Sequence, residues 1–86
     1  MMNKEMIRDL IASHIDCTEL DVRGDDGAHF EAIIVALAFV GKSRVARHQL
    51  VYMALGDRMR EAIHALSFKT LTPDERSDAV NKDALG

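Results

Sequence analysis

The feature that most restricts the fold of this chain is an unbroken apolar run, Ala32 to Val40. Its nine residues are about half of the roughly 20 that a membrane-spanning helix needs, so the run indicates a protein core. Its Phe, Ile and Val side chains would point to both faces of an extended segment, as in strands that are covered on both sides. We therefore expect a central β-strand over His29–Val40, bulged or frayed near its end.

The length of the chain, 86 residues, limits it to one domain. A domain of this size buries only about 60 to 65 per cent of its unfolded surface, so an enclosed cavity for a large cofactor would compete with the core. We expect the domain to span residues 1–80 and the last residues, 81–86, to form a disordered tail.

The segment before the apolar run predicts a helix, a strand and a turn. Asn3 can cap a helix, and Leu20 and Val22 alternate with charged residues as in a half-buried strand. Gly24–Gly27 is a turn sequence, because glycine and aspartate tolerate the backbone angles of tight connections. The apolar positions of the helix recur at helical spacing: Met6, Ile7, Leu10, Ile11 and Ile15.

After the run, Ser43 is a good N-cap for a second helix, and Gly56 can divide that helix into two. Residues Ala65–Leu71 predict a third strand, and Thr72–Glu75 has the pattern of a capping box that starts a short terminal helix. The apolar stripe of the second helix comprises Val45, His48, Val51, Tyr52, Leu55 and Met59.

These elements together predict an α+β fold in the order helix, strand, strand, one or two helices, strand. About twenty residues separate the second and third strands, enough for a helical crossover, so we expect them to run parallel. The starts of these strands, near His29 and His64, would then lie at the same end of the sheet as the Gly24–Gly27 loop.

The cysteine content and the N-terminus restrict the cellular setting. Cys17 is the only cysteine, which excludes an intramolecular disulfide and a CxxC metal or redox site. Charged residues interrupt the N-terminal segment before an apolar stretch forms, unlike in a secretory signal. We therefore expect a cytoplasmic protein without membrane association.

The net charge of −3 is unevenly distributed along the chain, and one segment is basic. Residues 41–60 contain five basic side chains against one acidic one, Asp57, and Lys42, Arg44 and Arg47 cluster at the start of the second helix. Such a stripe suits an anionic partner, either phosphate, nucleic acid or an acidic protein face. It is equally compatible with a solvated helix face.

Histidines are the side chains in this sequence most suited to metal binding or proton transfer. His29 and His64 begin two strands that we expect to be adjacent, and convergent histidines suit a metal or cluster site. His14 and His48 are more simply interpreted as structural residues of their helices. No catalytic triad or pair of carboxylates follows from the spacing, so the sequence does not favour an enzyme.

Several blocks of the chain resemble the BolA family in order and spacing, over roughly residues 5 to 75, and look most similar to its short bacterial IbaG-like branch. The most specific are Arg47-His48 followed by Val51-Tyr52, and Ile63–Leu66. The blocks are Ala28–Phe30, Phe39–Leu55, Ile63–Ser67 and Thr72–Pro73.

This resemblance implies a class II KH-like fold with a three-stranded mixed sheet packed against helices. It also implies a partnership with a monothiol glutaredoxin around a shared 2Fe-2S cluster, with glutathione as a further ligand. His64 matches the cluster-ligating histidine of the family. Asp26 stands near the position of the second ligand, for which His29 is the nearest substitute.

Two functions therefore compete, and both are non-enzymatic. The first is an adaptor for iron–sulfur trafficking or sensing that uses His64, and His29 as its second candidate ligand. The second, which some family members also suggest, is a DNA-binding regulator of stress response and morphology that uses Lys42, Arg44 and Arg47. A third possibility is a metal-free module that docks an acidic protein face. Either a monomer or a weak homodimer is compatible with the exposed strand edge that we expect.

Overall fold

A computed structural model describes the backbone of residues 2–24 and 26–85 and the side chains as far as residue 80. Its elements are helix α1 (Lys4–His14), strands β1 (Cys17–Arg23) and β2 (Phe30–Ala36), a 3-10 turn (Leu37–Phe39), helix α2 (Arg44–Leu55), a second 3-10 turn (Gly56–Arg58), helix α3 (Met59–Ala65), strand β3 (Leu66–Leu71) and helix α4 (Pro73–Leu85). The predicted α+β order is confirmed. None of the helices in the described part of the chain is long and apolar enough to cross a membrane.

Helix α4 begins as the sequence predicts and is longer than expected. The N–H of Glu75 donates to Thr72 Oγ1 at 3.1 Å, and the N–H of Thr72 donates to Glu75 Oε1 at 2.8 Å, which completes the capping box. The helical backbone continues past Val80 to Leu85. The predicted disorder of residues 81–86 and the domain boundary at residue 80 stay predictions.

The sheet has the strand order β1-β2-β3, so the apolar strand β2 is central as predicted. Strand β1 pairs with β2 antiparallel, and β2 pairs with β3 in parallel, with Phe30 opposite Leu66 and Val35 opposite Leu71. The parallel pairing places the beginnings of β2 and β3 side by side. Their carboxyl ends, from which the chain continues to α2 and α4, lie at the opposite end of the sheet.

Helices α1 and α2 enclose the core against the sheet. Asn3 Oδ1 accepts the N–H of Met6 at 2.8 Å and fixes the start of α1, which buries Ile7 and Ile11. The largest fully buried side chains of this core are Phe39, Ile7, Ile11, Ile34, Leu55 and Val51, whereas Val35 is buried on the opposite face of the sheet. The core is therefore built from α1, the central strand, the 3-10 turn that follows it and α2.

The prediction that the central strand extends to Val40 is wrong, since β2 ends at Ala36. Residues two apart in a strand face the same side of the sheet. Phe39 is fully buried, whereas Leu37 is 67% exposed, so the chain has to turn between them. The 3-10 turn Leu37–Phe39 rotates the Phe39 ring into the core, where its burial stabilises the turn. His29 and Ala65, which the sequence assigns to strands, lie just outside them.

The predicted apolar stripe of α2 is also partly wrong. Val45 is 67% and Tyr52 39% exposed, whereas Val51, Ala54 and Leu55 form the buried face. The buried side is thus rotated about the helix axis relative to the predicted stripe. The predicted break is confirmed, because Gly56 adopts a φ of 54° and ends α2 before α3 begins.

We predict that Gly24→Ala destabilises the fold by about 1–3 kcal/mol, because the new methyl group would collide with the buried Phe30 ring. Urea unfolding of the variant and the parent chain measures the change in the free energy of unfolding. The same substitution in a Phe30→Leu background should cost less, since the colliding ring is gone. An equal cost in both backgrounds would contradict the steric explanation.

Candidate functional site

Two exposed histidines lie at the end of the sheet where β2 and β3 begin. His29 immediately precedes Phe30, and His64 lies in the last turn of α3, just before β3. Because Phe30 and Leu66 are register partners, the two histidine-bearing segments enter neighbouring strands at the same level. The structure therefore brings His29 and His64 to one end of the sheet. We call Asp26, His29 and His64 the histidine end.

Asp26 orients the His29 side chain. Its Oδ1 accepts the N–H groups of Ala28 and His29 at 2.9 and 2.8 Å, and its Oδ2 lies 3.1 Å from His29 Nδ1. The backbone N–H bond from His29, followed by that from Ala28 and the bond to the ring, lowers the pKa of Asp26 to about 2. The ionised carboxylate favours a proton on Nδ1, which leaves Nε2 free to act as an acceptor or a metal ligand.

His64 is exposed, and no hydrogen bond or ion pair engages its ring within the part of the chain that the structure describes. Both histidines therefore offer a nitrogen donor of the kind that suits zinc, copper or iron. Among the described residues, no group of three or more His, Cys, Asp or Glu side chains could hold a metal ion.

The two remaining histidines and the cysteine lie elsewhere. His14 is exposed near the end of α1, and its Nδ1 is 3.0 Å from Leu10 O. His48 is half-buried and packs on Phe68, with ring centroids 4.7 Å apart. Cys17 is half-buried, and burial raises the pKa of its thiol. Its thiolate, the form that binds metal, is accordingly disfavoured.

A second feature lies towards the carboxyl ends of the parallel strands β2 and β3, where a groove of about 670 Å³ runs between α2, β3 and the start of α4. Lys42 and Arg44, two of the three predicted DNA contacts, are exposed at its rim. Its lining comprises Lys42, Arg44, Arg47, His48, Phe68, Lys69, Thr70, Leu71 and Glu75, which we call the basic groove.

Arg47, the third predicted DNA contact, is bound to protein groups in the structure. Its side chain is only 13% exposed, its Nη1 donates to Glu75 Oε1 at 2.6 Å and to Thr70 O at 3.2 Å, and its Nε donates to Lys42 O at 2.9 Å. Arg47 thus ties α2 to β3 and to the start of α4. The sequence groups Arg47 with Lys42 and Arg44 in one basic cluster. In the structure Arg47, four residues before the buried Val51, lies on the buried side of α2, whereas Lys42 and Arg44 are exposed.

We predict that Glu75→Gln lowers the free energy of unfolding at neutral pH and reduces its loss in acid. The Arg47 guanidinium, assisted by the Thr72 N–H, lowers the pKa of Glu75 from 4.5 to about 2. A lowered pKa stabilises the folded state above about pH 4.5, and this contribution disappears as the pH falls towards 2.

Urea unfolding at several pH values between 7 and 2 would measure this effect. Asp74→Asn removes an exposed carboxylate from the same helical turn and should leave the pH dependence close to that of the parent chain. A Glu75→Gln variant with the full acid sensitivity of the parent would show that the Arg47–Glu75 pair contributes no stability.

Sequence comparison supports the resemblance. The family profile described as BolA-like protein matches residues 5–75. Acid stress protein IbaG of Escherichia coli (strain K12) is 37% identical over 75 residues, which cover 86% of this chain and 88% of that protein. The DNA-binding transcriptional regulator BolA of Haemophilus influenzae is 38% identical over 53 residues, which cover 62% of this chain and 50% of that protein.

Longer relatives contain a similar segment. SufE-like protein 1, chloroplastic/mitochondrial, of Arabidopsis thaliana is 38% identical in an alignment 86 residues long that covers 80% of this chain. The chain spans 23% of the length of that protein and 44% of the length of Protein BOLA1, chloroplastic, of the same plant.

Solved structures have the same fold. A bolA protein homologue from Coxiella burnetii superposes with a TM-score of 0.74 at 41% identity, covering 90% of this chain and 99% of that one. A bol-like protein from Babesia bovis has a TM-score of 0.79 at 34% identity, covering 92% and 94%.

Proposed function

This chain belongs to the BolA-like protein family, and on that basis we propose that it is a cytoplasmic, non-enzymatic adaptor that pairs with a monothiol glutaredoxin and helps to ligate a bridging 2Fe-2S cluster. The observation that carries the proposal is the position of His64, an exposed imidazole at the end of α3 beside the segment that bears His29. The family resemblance of Ile63–Leu66 adds to it.

The donor set of the histidine end fits a cluster that is shared with a partner. When bound, a 2Fe-2S cluster supplies two iron centres that need four protein or thiol ligands in all. This chain has one cysteine, whose thiol is half-buried, so the thiolates would come from glutaredoxin and glutathione. The chain would contribute imidazole nitrogens.

Within this arrangement, His64 is the first ligand that we propose and His29 the second. Asp26 would hold the His29 ring in one orientation and keep the proton on Nδ1, so that Nε2 faces the ligand site as a lone-pair donor. Such a carboxylate–histidine pair is a common support for metal-binding imidazoles. Asp26 itself would then act through His29 rather than bind iron.

The proposal is tested by mixing the purified chain with a monothiol glutaredoxin, glutathione, ferrous iron and sulfide under anaerobic conditions. We expect a heterocomplex whose visible circular dichroism differs from that of the cluster-loaded glutaredoxin alone. His29→Ala should shorten the lifetime of this cluster, whereas His14→Ala, which removes an exposed histidine from α1, should not. Separate elution of the two proteins with an unchanged glutaredoxin spectrum would refute the proposal.

DNA binding is the second candidate function, supported by the exposed Lys42 and Arg44 and by the name of the Haemophilus influenzae relative. Helix N-termini and basic side chains favour phosphate. The contacts of Arg47 with Glu75 do not add to this support, and the predicted role of Arg47 in DNA binding stays a prediction. Phosphate-driven binding requires an affinity that falls steeply between low and physiological salt, which a fluorescence titration with duplex DNA measures.

A further inference from the structure

Part of the lining of the basic groove is aromatic. His48 of α2 and Phe68 of β3 both line the groove, both are half-buried, and their ring centroids lie 4.7 Å apart. Tyr52 supports this pair from the side, since its ring meets that of Phe68 edge to face at 5.8 Å. Because His48 and Phe68 are only half-buried, they leave an apolar surface open to the groove.

Cationic side chains lie next to the aromatic rings on both walls of the groove. On α2, Arg44 precedes His48 by four residues, a spacing that places the two Cβ atoms about 5–6 Å apart. On β3, the exposed Lys69 directly follows Phe68 and lines the groove from the other face of the strand. Lys42, just before α2, is a third exposed cation of the lining. One ligand can therefore reach both an apolar surface and positive charge.

The positive charge of the groove is uncompensated. Within the described residues, Lys42, Arg44 and Lys69 form no ion pairs. Glu75 is the one acidic side chain among the described lining residues, and Arg47 neutralises it with an N···O distance of 2.6 Å. The three unpaired cations complement an anion that carries more than one negative charge, such as a diphosphate group.

The volume of the groove, about 670 Å³, lies within the range of roughly 300–1,000 Å³ that is usual for small-molecule sites. We propose that the groove binds a free nucleoside diphosphate or triphosphate. The phosphates contact Lys42, Arg44 and Lys69, and the base contacts the accessible parts of the His48 and Phe68 rings. Aromatic side chains stack on every base, so these contacts select the class of nucleotides rather than one base.

The aromatic rings distinguish this site from the DNA surface considered above, with which it shares Lys42 and Arg44. The bases of a duplex are stacked on one another and would have to flip out of the helix to reach the rings. An inorganic polyphosphate would use the cations and leave the rings without a contact. The groove lies towards the carboxyl ends of β2 and β3, whereas His64 lies at their beginnings, so the proposal does not rest on the cluster function.

The test is an NMR titration of the ¹⁵N-labelled full chain with ADP, and separately with its two parts, pyrophosphate and adenosine. We expect ADP to shift the amide signals of Arg44, His48, Phe68 and Lys69. It should bind at least about tenfold more tightly than either part, because ADP alone contacts the cations and the rings together.

Substitutions in the groove give the second arm of the test. Arg44→Gln combined with Lys69→Gln should weaken binding of both ADP and pyrophosphate about tenfold, whereas the control Arg8→Gln, exposed on α1 outside the groove, should weaken neither. Phe68→Leu should weaken ADP binding alone about tenfold, and its unchanged affinity for pyrophosphate would show that the groove is still folded. His64→Ala should leave ADP binding unchanged, which separates this proposal from the cluster proposal.

Three outcomes would overturn the proposal. Binding of pyrophosphate as tight as that of ADP would reduce the groove to a non-specific electrostatic surface. Shifts caused by duplex DNA or by a single-stranded oligothymidylate, with none caused by ADP, would identify a nucleic-acid site. Shifts by ADP that are confined to the histidine end would place the nucleotide outside the groove.

Discussion

Replacing His64 with alanine is expected to shorten the lifetime of the cluster in the glutaredoxin heterocomplex by on the order of 10–100-fold, or to prevent the cluster from forming. Under the proposed function, the substitution removes the imidazole that we propose as the first iron ligand and leaves His29 as the one remaining histidine of the histidine end. The decay of visible absorption after addition of a chelator measures the lifetime.

The fold should survive this substitution, because His64 is exposed and surface changes away from special contacts usually alter stability by about 0.5 kcal/mol or less. Far-ultraviolet circular dichroism checks this point. His14→Ala is the matched control, since it removes another exposed histidine at the end of α1, from which the chain enters β1 opposite the last residue of β2 rather than its beginning. An unchanged spectrum and lifetime in the His64→Ala complex would remove this histidine from the ligands.

The largest effect on stability is expected for Phe39→Ala, which should lower the free energy of unfolding by about 3–5 kcal/mol. The Phe39 ring is fully buried, so its removal loses apolar contacts and leaves a cavity that a close-packed core fills only in part. Because the free energy of unfolding of a natural domain is only about 5–15 kcal/mol, the variant should retain little of it at room temperature.

Leu37→Ala provides the control for Phe39→Ala within the same 3-10 turn. Leu37 is 67% exposed, so its truncation should cost about 0.5 kcal/mol or less. Urea titrations followed by circular dichroism give both values. Similar costs for the two variants would contradict the inward rotation of Phe39 by the turn.

The sequence predicted the order of the elements because each of them carries a local signal. Asn3, Ser43 and Thr72 cap their helices as expected, and the length of the connection between β2 and β3 indicated parallel pairing. The end of β2 and the buried face of α2 were predicted wrongly. Leu37, Phe39 and Val45 are all apolar, and only the three-dimensional packing decides which of them is buried.

For the candidate site, the parallel topology correctly predicted that the residues next to His29 and His64 would come together. The role of Asp26 as the partner of His29 was missed, although the three-residue spacing of an aspartate that accepts backbone N–H groups was a usable signal. The pairing of Arg47 with Glu75 could not be predicted from local sequence, because the two residues are separated by the whole of α3 and β3.

The most direct test of the adaptor function is an NMR titration of the ¹⁵N-labelled chain with a monothiol glutaredoxin, first without iron and then loaded with cluster and glutathione. The proposed function predicts paramagnetic broadening centred on His64, His29 and the loop that carries Asp26, in the cluster-loaded titration alone. Unchanged chemical shifts and line widths in both titrations, or broadening confined to the basic groove, would contradict it.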